Sequence, residues 1–98
     1  MKVALFLAAA FAALPVHAQD AAARNLAAAC AICHGTQGKP PAGAPVVPLA
    51  GLPREHIASQ MRAFRDGTRP ATVMHQIAKG YNDAQIDALA AWFSGQKR

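Results

Sequence analysis

The chain has 98 residues, 53% of them hydrophobic, and a formal charge of +5. That length holds one domain and excludes a multidomain enzyme, and two Cys are too few for a disulfide-stapled scaffold. So short a chain buries a small core and leaves little room for a large active site of its own.

The first segment has the pattern of a secretory leader. Lys2 precedes an unbroken apolar run from Val3 to Leu14, which Pro15 ends, and Val16 and Ala18 are small residues placed for cleavage. The run falls short of the roughly 20 apolar residues a spanning helix needs, so a membrane anchor is the weaker reading. No Cys stands beside the cut to take a lipid. We expect residues 1–18 to be a signal peptide cleaved before Gln19, and residues 19–98 to be one exported, periplasmic domain with no stable membrane insertion. Eighty such residues without a disulfide framework are marginal alone, so something else should complete the core.

The predicted elements after the cut are helices. Residues 20–31 are Ala-rich and free of Pro and Gly, which predicts a first helix with Asp20 at its start. From Gly35 to Pro53, nine of 19 residues are Gly or Pro, which excludes a long helix or a central strand. A loop of that length in a compact domain is expected to wrap something. Residues 54–67 predict a second helix, with Pro53 at its start, Gly67 at its end and Ile57, Met61 and Phe64 on one stripe. Residues 72–79 predict a short third helix closed by Gly80. Residues 83–94 predict the last: Asn82 and Gln85 form a capping box, Ile86, Leu89, Ala90 and Phe93 share one face, and Gly95 ends it. There is no alternating β pattern and no internal repeat. The fold class expected is all-α.

Both Cys lie in Cys30-Ala31-Ile32-Cys33-His34, a C-x-x-C-H motif whose spacing suits covalent attachment of haem c. Two thiols would add across the porphyrin vinyl groups, and the adjacent His34 imidazole would be the proximal iron ligand. A redox C-x-x-C belongs near a βαβ pattern, which this chain lacks. A structural zinc site wants four ligands, and only His56 and His75 could complete one. A plain disulfide would leave the core problem unsolved.

The second axial ligand must come from elsewhere in the chain. Met61 sits on the apolar stripe of the second helix, where Met commonly fills space. Met74 follows the Arg69-Pro70 turn at the opening of the third helix and is favoured, with His75 and His56 as alternatives. A His/Met pair raises the potential and leaves no open iron position, which suits electron transfer. Arg54, Arg62, Arg65 and Arg69 recur at near-helical spacing. They read either as a solvated helix face or as a docking patch for an acidic partner. Nucleic acid is excluded as a partner by export and by the lack of a base-stacking array.

Cys30-Ala31-Ile32-Cys33-His34-Gly35-Thr36, Val47-Pro48-Leu49-Ala50-Gly51 and Phe64-Arg65-Asp66-Gly67 resemble a small class I c-type cytochrome. The segment from Ala71 to Tyr81, ATVMHQIAKGY, is similar to one haem domain of the cytochrome subunit of flavocytochrome c sulfide dehydrogenase. The resemblance implies about four short helices around one covalently bound haem c. It implies thioethers at Cys30 and Cys33, iron ligands His34 and Met74, and a Pro48 carbonyl that accepts the His34 ring N–H. It also implies first and last helices that cross, with Ala27 against Trp92 or Phe93. The function implied is single-electron transfer, either as the electron-accepting subunit beside a flavoprotein or as a free carrier serving a reductase or terminal oxidase. His56 stands where many relatives carry Tyr, and a single C-x-x-C-H stands where such subunits often carry two. Any flavin and any sulfide chemistry would sit on another chain.

Overall fold

The computed structural model describes residues 18–98, so the leader reading lies outside the described residues except for Ala18. The domain is built from helices, and no strand occurs among the described residues. Helix α1 spans Ala18–Ala27, tightens into a 3₁₀ turn at Ala28–Cys30 and continues as the single turn α2, Ala31–His34. The predicted first helix is thus longer than expected and divided. An Ala-rich run tolerates either winding, so packing decides where it tightens. A second 3₁₀ turn covers Thr36–Gly38.

After the Gly/Pro-rich loop comes α3, Arg54–Asp66, then α4, Met74–Ala78, and α5, Asp83–Ser94. Pro53 precedes α3, and Gly67 closes it with its N–H on the Phe64 carbonyl at 3.3 Å. The α5 start is the expected capping box. Gln85 N–H donates to Asn82 Oδ1 and Asn82 N–H to Gln85 Oε1, each at 2.9 Å.

Helix α5 is the centre of the domain, packed on α1 and on α3, while α4 packs on α3. Its apolar face, Ile86, Leu89, Ala90 and Phe93, is buried as the sequence periodicity requires. Ala27, Ile57 and Ala58 complete the cluster, and small side chains at Ala27, Ala58 and Ala90 let the helices approach closely. Ala27 therefore shares the core with Phe93, as the resemblance implied, and Trp92 meets the Phe93 ring edge-on at 5.0 Å. The long loop is tied back to this core where Gly51 N–H donates to the Phe93 carbonyl at 2.9 Å.

The arginines form a strap rather than a free patch. Arg62 reaches Asp83 at 3.2 Å and Asp87 at 2.7 Å, and Arg65 reaches Asp83 at 2.8 Å, joining α3 to the start of α5. These guanidiniums hold the Asp83 carboxyl below the usual carboxylate range, with the Arg65 hydrogen bond the largest cause. Arg69 lies over the Phe64 ring at 4.6 Å and bonds Gln60. Arg62, Arg65 and Arg69 of this stripe are thus engaged by neighbouring side chains. Their partners are within the domain.

Candidate functional site

Cys30 ends the 3₁₀ turn and Cys33 lies inside α2, so three-residue helical spacing sets both on one side of the same turn. Cys30 is half-buried and packs against the core, Cys33 is exposed, and the two are not joined as a disulfide. Burial pushes the Cys30 thiol above its ordinary value, partly offset by a backbone hydrogen bond. The Tyr81 hydroxyl is also raised, by burial first.

His34 is the last residue of α2. Gly35 follows it with φ +80°, and a Cβ there would run into the backbone of Lys39 and Pro40, so the chain turns tightly as it leaves the imidazole. The His34 Nδ1 lies 2.8 Å from the Val47 carbonyl oxygen. With Nδ1–H donating there, Nε2 is left with a lone pair that could bind a metal.

This corrects the expectation for Pro48: the acceptor is the carbonyl of Val47, one residue earlier. A residue that precedes proline is driven to extended backbone. Pro48 therefore shapes the peptide that carries the acceptor without supplying the oxygen.

Met74 opens α4 and is half-buried. Met61, the other methionine considered, packs against the hydrophobic core. His56 is exposed on α3. His75 is half-buried, and its Nδ1 is enclosed with no hydrogen-bond partner in the domain. Among the described residues no three His, Cys, Asp or Glu side chains cluster as a bound metal ion would need, which counts against the zinc reading.

The donor set fits haem c. Two thiols share a turn, an imidazole is held by one nitrogen with the other free, and a thioether sulfur opens α4. Large apolar side chains are left exposed in these same segments: Ile32 between the cysteines, Val47 at the His34 acceptor, and Val73 and Ile77 around Met74. A porphyrin offers the apolar surface that such side chains match. The Val47 carbonyl is what sequence reasoning missed. The signal that could have found it is the position before a proline in the loop after the motif.

Known proteins are similar to this chain in sequence. No protein-family profile matches the chain. A thiosulfate dehydrogenase electron acceptor of Thiomonas intermedia (strain K12) is 47% identical over 79 residues, 79% of this chain and 36% of that protein. Cytochrome c-554(548) of Halomonas halodenitrificans is 38% identical over 85 residues, 82% of this chain and 100% of that protein. The cytochrome subunit of sulfide dehydrogenase of Chlorobaculum tepidum is 38% identical over 69 residues, 69% of this chain and 60% of that protein. The chain thus spans about a third of the length of the electron acceptors it matches and the whole of the Halomonas cytochrome. With an all-α fold and a C-x-x-C-H turn beside a buttressed imidazole, the chain belongs to the class I c-type cytochromes, whose cofactor is covalently bound haem c.

Proposed function

We propose that this chain is an exported single-haem electron carrier that accepts electrons from a dehydrogenase of reduced sulfur compounds. The observation that carries the electron-transfer reading is the His34 ring, fixed through Nδ1 on the Val47 carbonyl at 2.8 Å beside two thiols on one turn. Cys30 and Cys33 hold the thioethers. His34 Nε2 and the Met74 sulfur would ligate the iron. Bound haem supplies a one-electron ferric–ferrous couple, and the protein supplies attachment, orientation and an apolar surround. With both of these ligands supplied by the chain, no iron position would be open to substrate. Residues 1–18 are the leader, and cleavage before Gln19 releases the carrier into the periplasm. Among the described residues no helix is long and apolar enough to cross a membrane.

The choice of donor class is supported by likeness to an electron acceptor for thiosulfate dehydrogenase and to a cytochrome subunit of sulfide dehydrogenase. The second relationship favours one further reading, a permanent subunit beside a flavoprotein. Likeness over the full length of the Halomonas cytochrome favours a carrier that stands alone.

The test is direct. Ferric holoprotein is mixed in a stopped-flow cell with thiosulfate dehydrogenase and thiosulfate, or with a sulfide-oxidising flavoprotein and sulfide, and haem reduction is followed. Rapid reduction by one donor assigns it. Stable co-elution with the flavoprotein selects the subunit reading. Reduction by neither, or ready carbon monoxide binding at the ferrous iron, refutes the proposal.

A further inference from the structure

The bond between His34 and Val47 has to be held in place by something other than Val47 itself. The Val47 side chain is 59% exposed, so packing against the rest of the protein does not fix it. The fixed points lie further along the loop. The Gly38 carbonyl accepts two N–H groups, from Leu49 at 2.9 Å and from Ala50 at 3.2 Å. The Gly38 N–H donates to the Gly35 carbonyl at 3.0 Å, which ties Gly38 to the turn that leaves His34. Gly51 then ties the far end of the segment to α5, through the Phe93 carbonyl at 2.9 Å. The segment 47–51 is therefore suspended between Gly38 and α5, with the Val47 carbonyl at its leading end.

Gly38 is buried with φ +76°, a backbone setting that side chains other than glycine resist. A Cβ built there would stand 2.9 Å from the Ala50 nitrogen, the Leu49 Cβ and the Phe93 Cδ1. Those atoms belong to the two tethered loop residues and to the core ring beneath them. A side chain at this position would wedge the loop away from the turn and draw the Val47 carbonyl off the imidazole.

We propose that Gly38 is a positioning residue for electron transfer: it carries the Val47 carbonyl to His34 and, through that bond, sets the reduction potential. The inference rests on His34 being an axial ligand. A strong bond from Nδ1–H makes the imidazole more basic and favours ferric iron. Weakening the bond favours ferrous iron and raises the potential. Loss of partners that orient metal-binding histidines typically costs about 10–100-fold in metal affinity or activity. We expect the low end here, about tenfold in the reduced-to-oxidised ratio at a fixed ambient potential, which is about 59 mV upward for one electron.

The experiment compares Gly38→Ala with Gly43→Ala as holoproteins. Gly43 has φ +83° and nothing within 4 Å of a built Cβ, so it carries the same backbone penalty without the wedge. Spectroelectrochemical titration should show an upward shift for Gly38→Ala and none for Gly43→Ala, although both lose stability. Equal potentials in the two variants would overturn the proposal. Should Gly38→Ala not accumulate, hydrogen exchange on the wild-type ferrous protein decides. The His34 ring proton and the Leu49 and Ala50 amides should share one protection factor. A ring proton that exchanges freely while those amides stay protected overturns the clamp. In the ferric protein, a His34 ring proton without paramagnetic shift would instead overturn the ligand assignment on which the clamp rests.

Discussion

Replacing Phe93 by Ala tests whether the core under the site is built as described. Phe93 is 3% exposed and shares its cluster with Ala27, Ile57, Ala58, Ile86, Leu89 and Ala90. Losing the buried ring forfeits about 1.5–3 kcal/mol of transfer free energy. A cavity term adds to this, because the neighbours Ala27, Ala58 and Ala90 are too short to fill the space. The expected cost is therefore about 3–5 kcal/mol, the range for aromatic truncation in a core. For a domain of this size each kcal/mol is worth about 4–8 °C in Tm, so the midpoint should fall by at least about 12 °C. The edge-to-face contact with Trp92 contributes about 0.5–1.5 kcal/mol of this, readable as the coupling in a double-mutant cycle with Trp92→Leu. The assay is denaturant unfolding of holoprotein, followed by helix circular dichroism and by haem absorbance in parallel. A cost below about 1 kcal/mol would be that of an ordinary surface substitution and would refute Phe93 as a core residue.

The remaining predictions concern the site and the strap. Met74→Ala should keep haem covalently attached, as judged by the mass of the denatured protein, while losing sulfur ligation and lowering the potential. An unchanged spectrum and potential would remove Met74 from the ligand set. Replacing Cys30 and Cys33 together by Ser should abolish covalent haem, so that none stays with the denatured chain in an acid–acetone extraction. Arg65 and Arg62 depress the Asp83 carboxyl, so the folded state binds its proton less readily than the unfolded chain, whose value is near 3.9. The strap's contribution is complete above that unfolded value and is lost as pH falls through the depressed folded one. Denaturant midpoints from neutral pH downward should thus fall less steeply for Asp83→Asn than for wild type; parallel slopes would show that Asp83 is not a stability-linked acid.

What was legible in the sequence is what local chemistry dictates. Asn82 and Gln85 announced the start of α5 because a capping box is complete within four residues, and Gly95 marked its end for the same reason. Gly67 likewise marked the end of α3. The first helix was harder. Nothing between Asp20 and His34 breaks a helix, and the change of winding at Ala28 answers to packing that an Ala-rich run does not record. The aspartate partners of Arg62 lie 21 and 25 residues away in sequence, on another helix. The stripe of arginines therefore read as a surface feature, although α3 and α5 bring the opposite charges together.

The site divides along the same line. The haem-attachment motif at Cys30, Cys33 and His34 is legible because all of it lies within five consecutive residues. Met61 and Met74 are the same residue type, and only context separates them. Met61 falls in register with Ile57, and that register leads into the core. The His34 acceptor was missed by one residue for a more basic reason. A carbonyl belongs to every residue alike, so side-chain pattern cannot say which one faces the ring. What can say so is the backbone route from Gly38 to Gly51. That route is fixed by two backbone tethers and one crowded glycine, none of which has a side chain to announce it. The loop that looked least informative in the sequence thus supplies both the hydrogen-bond acceptor for His34 and the clamp that holds it there.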